Sequence, residues 1–131
     1  MSGPELQPGL SSELSYVVTD RDTALSLGSG SLAVLATPRL LGWLEAASCQ
    51  AVDEALPPGS SSVGTRVSLE HLAASPVGAR VTCRASVIHV DGRLLRFELV
   101  ASRLDGSPVA HGELTRVVVD EQRFIDRVVP G

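Results

Sequence analysis

The sequence predicts an α+β domain in which one long, buried helix is wrapped by a curved antiparallel sheet of about five or six strands. Three observations carry this prediction. One helical stretch, residues 36–52, has a marked start and an apolar stripe at helical spacing. From Val63 onward, segment after segment alternates apolar and polar residues. Asp91-Gly92 and Asp105-Gly106 fall between those segments as two-residue hairpin signals.

In chain order, residues 1–11 are rich in Pro, Gly and Ser and read as a loose lead-in. Residues 13–19 follow as a first strand, with Leu14, Tyr16 and Val18 alternating against Ser15 and Val17, and Asp20-Arg21-Asp22 ends it. The Ser/Gly-rich segment 23–31 and Leu32-Ala33-Val34-Leu35 fit a short strand, a helical turn or a flap, and periodicity does not choose among them. The helix then opens with Thr37 as its expected N-cap and Pro38 at the first helical position, where no N–H is needed. With Leu44 at the centre of the stripe, Leu40, Leu41, Ala47, Ser48, Ala51 and Val52 lie within roughly 80° of it at 100° per residue. Glu45 falls at the edge of that stripe, apart from Arg39, Gln50 and Asp53 on the far side. Pro57-Pro58-Gly59 cannot continue the helix, and Ser60-Ser61-Ser62 reads as a flexible link.

The remaining strands are expected over 63–72, 79–90, 93–103 and 108–119. Ala79, Val81, Cys83, Ala85 and Val87 share one face of the second of these, Leu95, Phe97, Leu99 and Ala101 one face of the third, and Ala110, Gly112, Leu114 and Val118 one face of the fourth. Asp120 is placed to cap a short closing helix carrying Phe124, Ile125 and Val128.

A chain of 131 residues is expected to form a single domain over residues 1–131. At 44% hydrophobic and 3% aromatic residues, its core must be built from Val, Leu and Ala rather than rings. A net charge of −4 argues against nucleic acid or an anionic membrane as partner. The first residues carry neither a basic start nor an apolar run, so a soluble, cytoplasmic protein is expected. Cys49 and Cys83 have no metal-ligand or disulfide spacing and read as small hydrophobes. No Gly-rich phosphate loop or metal motif appears, so no metal or cofactor is expected.

Five residues are able to carry chemistry, each with a structural reading beside it. Glu45 is either a rim carboxylate or, if the sheet and a second subunit close over it, a base or nucleophile. The Thr37 hydroxyl is either used up in capping or available, with helix N–H groups, to a substrate oxygen. Along one ideal helix the two lie roughly 12 Å apart and cannot hydrogen-bond. His71 is either a surface residue at a strand end or a catalyst; His89 and His111 have only the surface reading. Gly64 marks a bend or a close backbone approach. Arg116 shares the face of Ala110, Gly112, Leu114 and Val118, so it must reach a carboxylate in an ion pair, a ligand or the sheet's end.

Thr37-Pro38 and Glu45 on the helix, then Val63-Gly64-Thr65 and His71-Leu72-Ala73-Ala74-Ser75-Pro76-Val77-Gly78, form a pattern over residues 10–129. It resembles the hot-dog-fold acyl-CoA thioesterases of the fluoroacetyl-CoA thioesterase-like family. The resemblance implies a hot-dog fold, a homodimer with active sites at the subunit interface, and an acyl-CoA substrate whose CoA is the only cofactor-like group. It implies a catalytic set on Thr37, Glu45 and His71, with Glu45 as base or nucleophile, His71 as its proton partner and Thr37 positioning substrate or water. It also implies that Gly64 helps position the acyl group and that Arg116 lies near the site. Members specific for fluoroacetyl-CoA carry aromatic side chains ahead of the helix; residues 20–36 here contain none, which points to a different short or medium acyl group. A non-catalytic acyl or small-ligand binding module, and a hydratase or dehydratase on the same fold, are the competing readings.

Overall fold

Alternation along the strands decides the architecture of this protein, whose computed structural model describes residues 5–130. β1 (Ser11–Val17), β2 (Ser60–His71), β3 (Arg80–Asp91), β4 (Leu94–Arg103) and β5 (Pro108–Asp120) form one antiparallel sheet in the order β1-β3-β4-β5-β2. Leu95, Phe97, Leu99 and Ala101 of β4 are fully buried, as are Val81, Cys83 and Ala85 of β3, while Arg96, Glu98, Arg80 and Arg84 face outward. Each side chain of Leu or Val size moved out of water in this way stabilises the fold by about 1.5–3 kcal/mol. The β3–β4 and β4–β5 turns fall at the two Asp-Gly pairs, where Gly92 and Gly106 take positive φ angles of 57° and 85°.

The sheet's inner face covers α2 (Thr37–Val52). Leu40, Leu44, Ala47, Ser48 and Val52 are wholly buried, and the Ser48 hydroxyl satisfies itself by donating to the Glu45 carbonyl at 2.6 Å. Two members of the expected stripe, Leu41 and Ala51, are only half-buried. Trp43 is buried instead, because β1 brings Tyr16 across and the two rings stack with centroids 4.4 Å apart.

Several local expectations change. Thr37 is not the N-cap: Ala36 holds that position without a side-chain bond, and the helix begins at Thr37. Ser60, Ser61 and Ser62 are not a flexible link but the first residues of β2, paired with Asp120, Val119 and Val118. The first strand covers Ser11–Val17 rather than 13–19, since its register is set by pairing with β3. The undecided segment after it holds α1 (Ala24–Leu27), capped by Thr23 and ended by Gly28 in the left-handed conformation. Leu35 then donates its N–H to Ser75 O at 2.8 Å. Of the lead-in expected over 1–11, residues 1–4 lie outside the described residues; Gly9 and Leu10 exchange backbone hydrogen bonds with Val87. Asp120 caps α3 (Glu121–Arg127), its carboxylate accepting from Arg123 N at 3.0 Å. Among the described residues, no helix is long and apolar enough to cross a membrane.

Candidate active site

Two polar clusters stand along α2, one at its N-terminus and one at its midpoint. At its N-terminal end, Thr37 is freed from capping, and its hydroxyl lies 2.8 Å from His71 Nδ1. His71 is the last residue of β2, and the turn after it is pinned by Leu72 N and Ala73 N donating to Val109 O at 2.8 and 3.3 Å. That anchoring fixes where the imidazole stands. Burial lowers the His71 pKa, opposed by a backbone hydrogen bond at Ala73, so the ring is neutral at pH 7. Its Nε2 is buried and has no hydrogen-bond partner among the described residues. A buried, unpaired nitrogen costs free energy unless water or a bound group meets it. Arg39 ties the same helical turn to Asp22 through a 3.1 Å ion pair, holding the segment before the helix in place.

Eight residues further along α2, the half-exposed Glu45 meets Arg116 of β5: Nη1 of the guanidinium donates to Oε2 at 3.3 Å. Arg116 stands between Leu114 and Val118 on the inner face of the sheet, and only 6% of it is exposed. A guanidinium so placed needs acceptors, and Ser62 supplies two. Its hydroxyl takes the Nε–H at 2.9 Å and its carbonyl an Nη2–H at 2.9 Å. Of the three destinations left open for Arg116, the structure shows the carboxylate, and it is that of the candidate Glu45. Gly64 completes the arrangement: a Cβ there would stand 2.8 Å from Glu45 Oε2, so only a bare backbone lets the carboxylate lie against β2. The register of β2 against β5 shifts between Gly64 and Arg66, the strand irregularity expected beside such an approach.

All five candidates thus lie along α2 and the strands facing it, but they form two groups, Thr37 with His71 and Glu45 with Arg116 and Gly64. The helical rise between Thr37 and Glu45 is roughly 12 Å, so the two groups do not hydrogen-bond directly and either flank one substrate or meet partners from different chains. Sequence alone does not single out Ser62, whose serine run reads as a linker although it anchors Arg116. The signal was present in Arg116, because an arginine on an apolar sheet face demands neighbouring acceptors. Of the cysteines, Cys83 is buried and its thiol pushed up to about 12, which makes it an inert core residue; Cys49 is half-buried.

Each cluster borders a cavity. The one beside Thr37 and His71 holds about 290 Å³, and the one beside Glu45 and Gly64 about 280 Å³. A neutral imidazole bonded to a hydroxyl at a helix N-terminus suits proton transfer next to a developing oxyanion, and an anchored carboxylate suits attack or base catalysis.

Comparison with known proteins places this geometry in context. The profile of the family described as fluoroacetyl-CoA-specific thioesterase matches residues 18–122. A fluoroacetyl-CoA thioesterase from Streptantibioticus cattleyicolor is 34% identical over 96 residues, which are 72% of this chain and 68% of that protein. A crystal structure of a fluoroacetyl-CoA thioesterase superposes with a TM-score of 0.87 at 26% identity, covering 97% of this chain and 100% of the other. A hot-dog-like protein from Thermanaerovibrio acidaminovorans superposes with a TM-score of 0.81 at 27% identity, over 95% of this chain and 94% of its own.

Proposed function

The chain belongs to the fluoroacetyl-CoA-specific thioesterase family and is a thioester hydrolase with a hot-dog fold, and we propose that two copies of it build each active site together. The substrate is an acyl-CoA, cleaved to free acid and CoA. One protomer contributes Thr37 and His71, and its partner contributes Glu45 with Arg116 and Gly64. The observation that carries this reading is the separation of the two clusters on α2, each chemically competent for half of the reaction.

The edge strand supports the pairing. β2 ends the sheet, and Gly64 to Ser68 form five consecutive exposed residues on it, Val67 among them at 43% exposure. A long uncovered edge of this kind is a template for another strand. Antiparallel pairing of β2 with its own copy, centred on Ser68 and with the irregularity between Gly64 and Arg66 absorbing one residue, sets Gly64 opposite His71 of the partner subunit. About six strand steps of roughly 3.3 Å separate those two positions along β2, so the two-fold axis exchanges the ends of the strand and makes two equivalent sites.

In each site Glu45 acts as base on the attacking water, or as nucleophile on the acyl carbon with water releasing the acid afterwards. Either route frees a thiolate whose conjugate acid resembles an ordinary thiol, with a pKa of about 8.5. Where Glu45 is the base, it takes the proton from water and hands it to neutral His71, and the imidazolium gives it to the departing sulfur. Where Glu45 is the nucleophile, the thiolate leaves as the anhydride forms, and His71 takes the proton from the water that hydrolyses the anhydride and delivers it to the thiolate. Thr37 holds the imidazole and the bound carbonyl in register, and the N-terminal end of α2 faces the oxyanion. Arg116, fastened by Ser62, fixes the carboxylate without entering the bond changes.

Thiol release from a panel of acyl-CoA substrates, with Glu45→Gln and His71→Ala alongside, tests the proposal. Wild type should release thiol and both variants should lose most of kcat. Unchanged turnover in Glu45→Gln would overturn the role of the carboxylate. Tight acyl-CoA binding with no thiol release would favour a binding module, and water added or lost with the thioester intact would favour a hydratase.

A further inference from the structure

We propose that the open apolar pocket beside Thr37 and His71 selects an aliphatic acyl chain longer than two carbons over a two-carbon acyl group. The inference rests on the thioesterase reading above and concerns which acyl group the same site accepts. Its walls are Ala24, Val34, Leu35, Leu72, Ala73 and Ala74, with no Phe, Tyr or Trp and no acidic or arginine side chain among the lining residues. Ser29 is the one polar side chain there besides Thr37 and His71. A two-carbon group held against His71 reaches little of this surface. At roughly 30 Å³ per water, the 290 Å³ cavity corresponds to about ten water molecules, most of which a two-carbon group would leave in place. Water against an aliphatic wall is poorly bonded, and replacing it with methylene groups is favourable.

Three features make this wall a built one. The segment closing it is tied down by Ala24 N donating to Val34 O at 2.8 Å and Leu25 N to Leu32 O at 3.1 Å. Leu35, whose own N–H donates to Ser75 O at 2.8 Å, is buried and locks the segment to the turn that carries Ala73 and Ala74. Leu72 lines the cavity yet is 50% exposed, an apolar surface that a longer acyl chain would cover. Three alanines line the site, so chain length is limited by backbone rather than by a bulky stop.

Two measurements test this. The first is kcat/KM for acetyl-, butyryl-, hexanoyl- and octanoyl-CoA, by thiol release. The second is the Kd of the matching S-alkyl-CoA thioethers, which no thioesterase can cleave. Each methylene removed from water is worth roughly fourfold, so both series should improve by about 10²-fold between two and six carbons. Ala73→Leu and Ala74→Leu, at exposed turn positions that tolerate larger side chains, should lower the hexanoyl-to-acetyl preference about tenfold or more. A two-carbon preference in both series, or a length preference unmoved by either substitution, would overturn the inference. Thioether binding that strengthens with length in a protein releasing no thiol would support the cavity assignment and overturn the hydrolase reading instead, so the two failures are distinguishable.

Discussion

The two polar clusters on α2 solve opposite problems. At Thr37 and His71 the groups are neutral, and burial keeps the imidazole so while leaving Nε2 without a partner. At Glu45 and Arg116 the groups are charged, and Ser62 together with the bare Gly64 anchors them. The N-terminus of the helix is therefore underfilled in hydrogen bonding, whereas at its midpoint the guanidinium is fastened by three hydrogen bonds. Under the proposed roles the difference separates a proton carrier, which needs a nitrogen free to meet its partner, from a carboxylate that gains from a fixed position whether it acts as base or as nucleophile.

Breaking the charged cluster should have the largest effect. Glu45→Gln keeps an oxygen for Arg116 and the shape of the side chain, so kcat should fall by about 10²–10⁴ with the melting temperature little changed. Steady-state kinetics beside a thermal melt checks both halves. Gly64→Ala should come next, since the added Cβ must displace the Glu45 carboxylate. A loss of roughly 10–10² in kcat with a smaller change in KM is expected from a misplacement of about 1 Å. Ser62→Ala removes one acceptor from a buried guanidinium and should cost about 1–3 kcal/mol in denaturant unfolding. Its partial recovery in Ser62→Thr would tie the loss to the hydroxyl.

The neutral cluster predicts effects on pH and on the helix start. Because burial depresses the His71 pKa below 6.5, the neutral form is held as pH falls through that value. Its contribution to stability is fully present above 6.5 and is lost as pH drops through the depressed folded-state pKa. The acid limb of kcat/KM should likewise lie below pH 6.5 and disappear in His71→Ala; a limb above 6.5 would contradict a desolvated imidazole. Thr37→Ala should change folding stability least, by about 0.5 kcal/mol, because no cap bond is lost and the hydrogen bond it breaks, to His71, is exposed. A true N-cap would cost about 0.5–2 kcal/mol, so the same measurement separates the two roles of this threonine.

What the sequence conveyed and what it withheld follow from how local each decision is. Strands β3 and β4 were legible because their alternation and Asp-Gly turns are decided within a few residues, and Asp120 announced α3 for the same reason. Ser60–Ser62 misled because three serines have no strand propensity of their own; β5 and Arg116 recruit them across more than fifty residues of chain. Thr37 misled in the same way, its Thr-Pro start fitting a cap while its hydroxyl goes to a histidine 34 residues on. Trp43 escaped the apolar stripe because its burial depends on Tyr16 of a distant strand. For the candidate site, residue types and their distance along the helix were readable, whereas the partners of Thr37 and Arg116 required the fold.

The central claim, that each site draws one cluster from each of two chains, is tested most directly by mixing two inactive variants. Glu45→Gln retains Thr37 and His71, and His71→Ala retains Glu45, so a dimer containing one of each has one intact shared site and one doubly damaged site. Unfolding the two variants together and refolding them should restore thiol release to about a quarter of wild type, since half the dimers are mixed and half their sites are intact. Activity no higher than the average of the two variants measured alone would contradict the shared site.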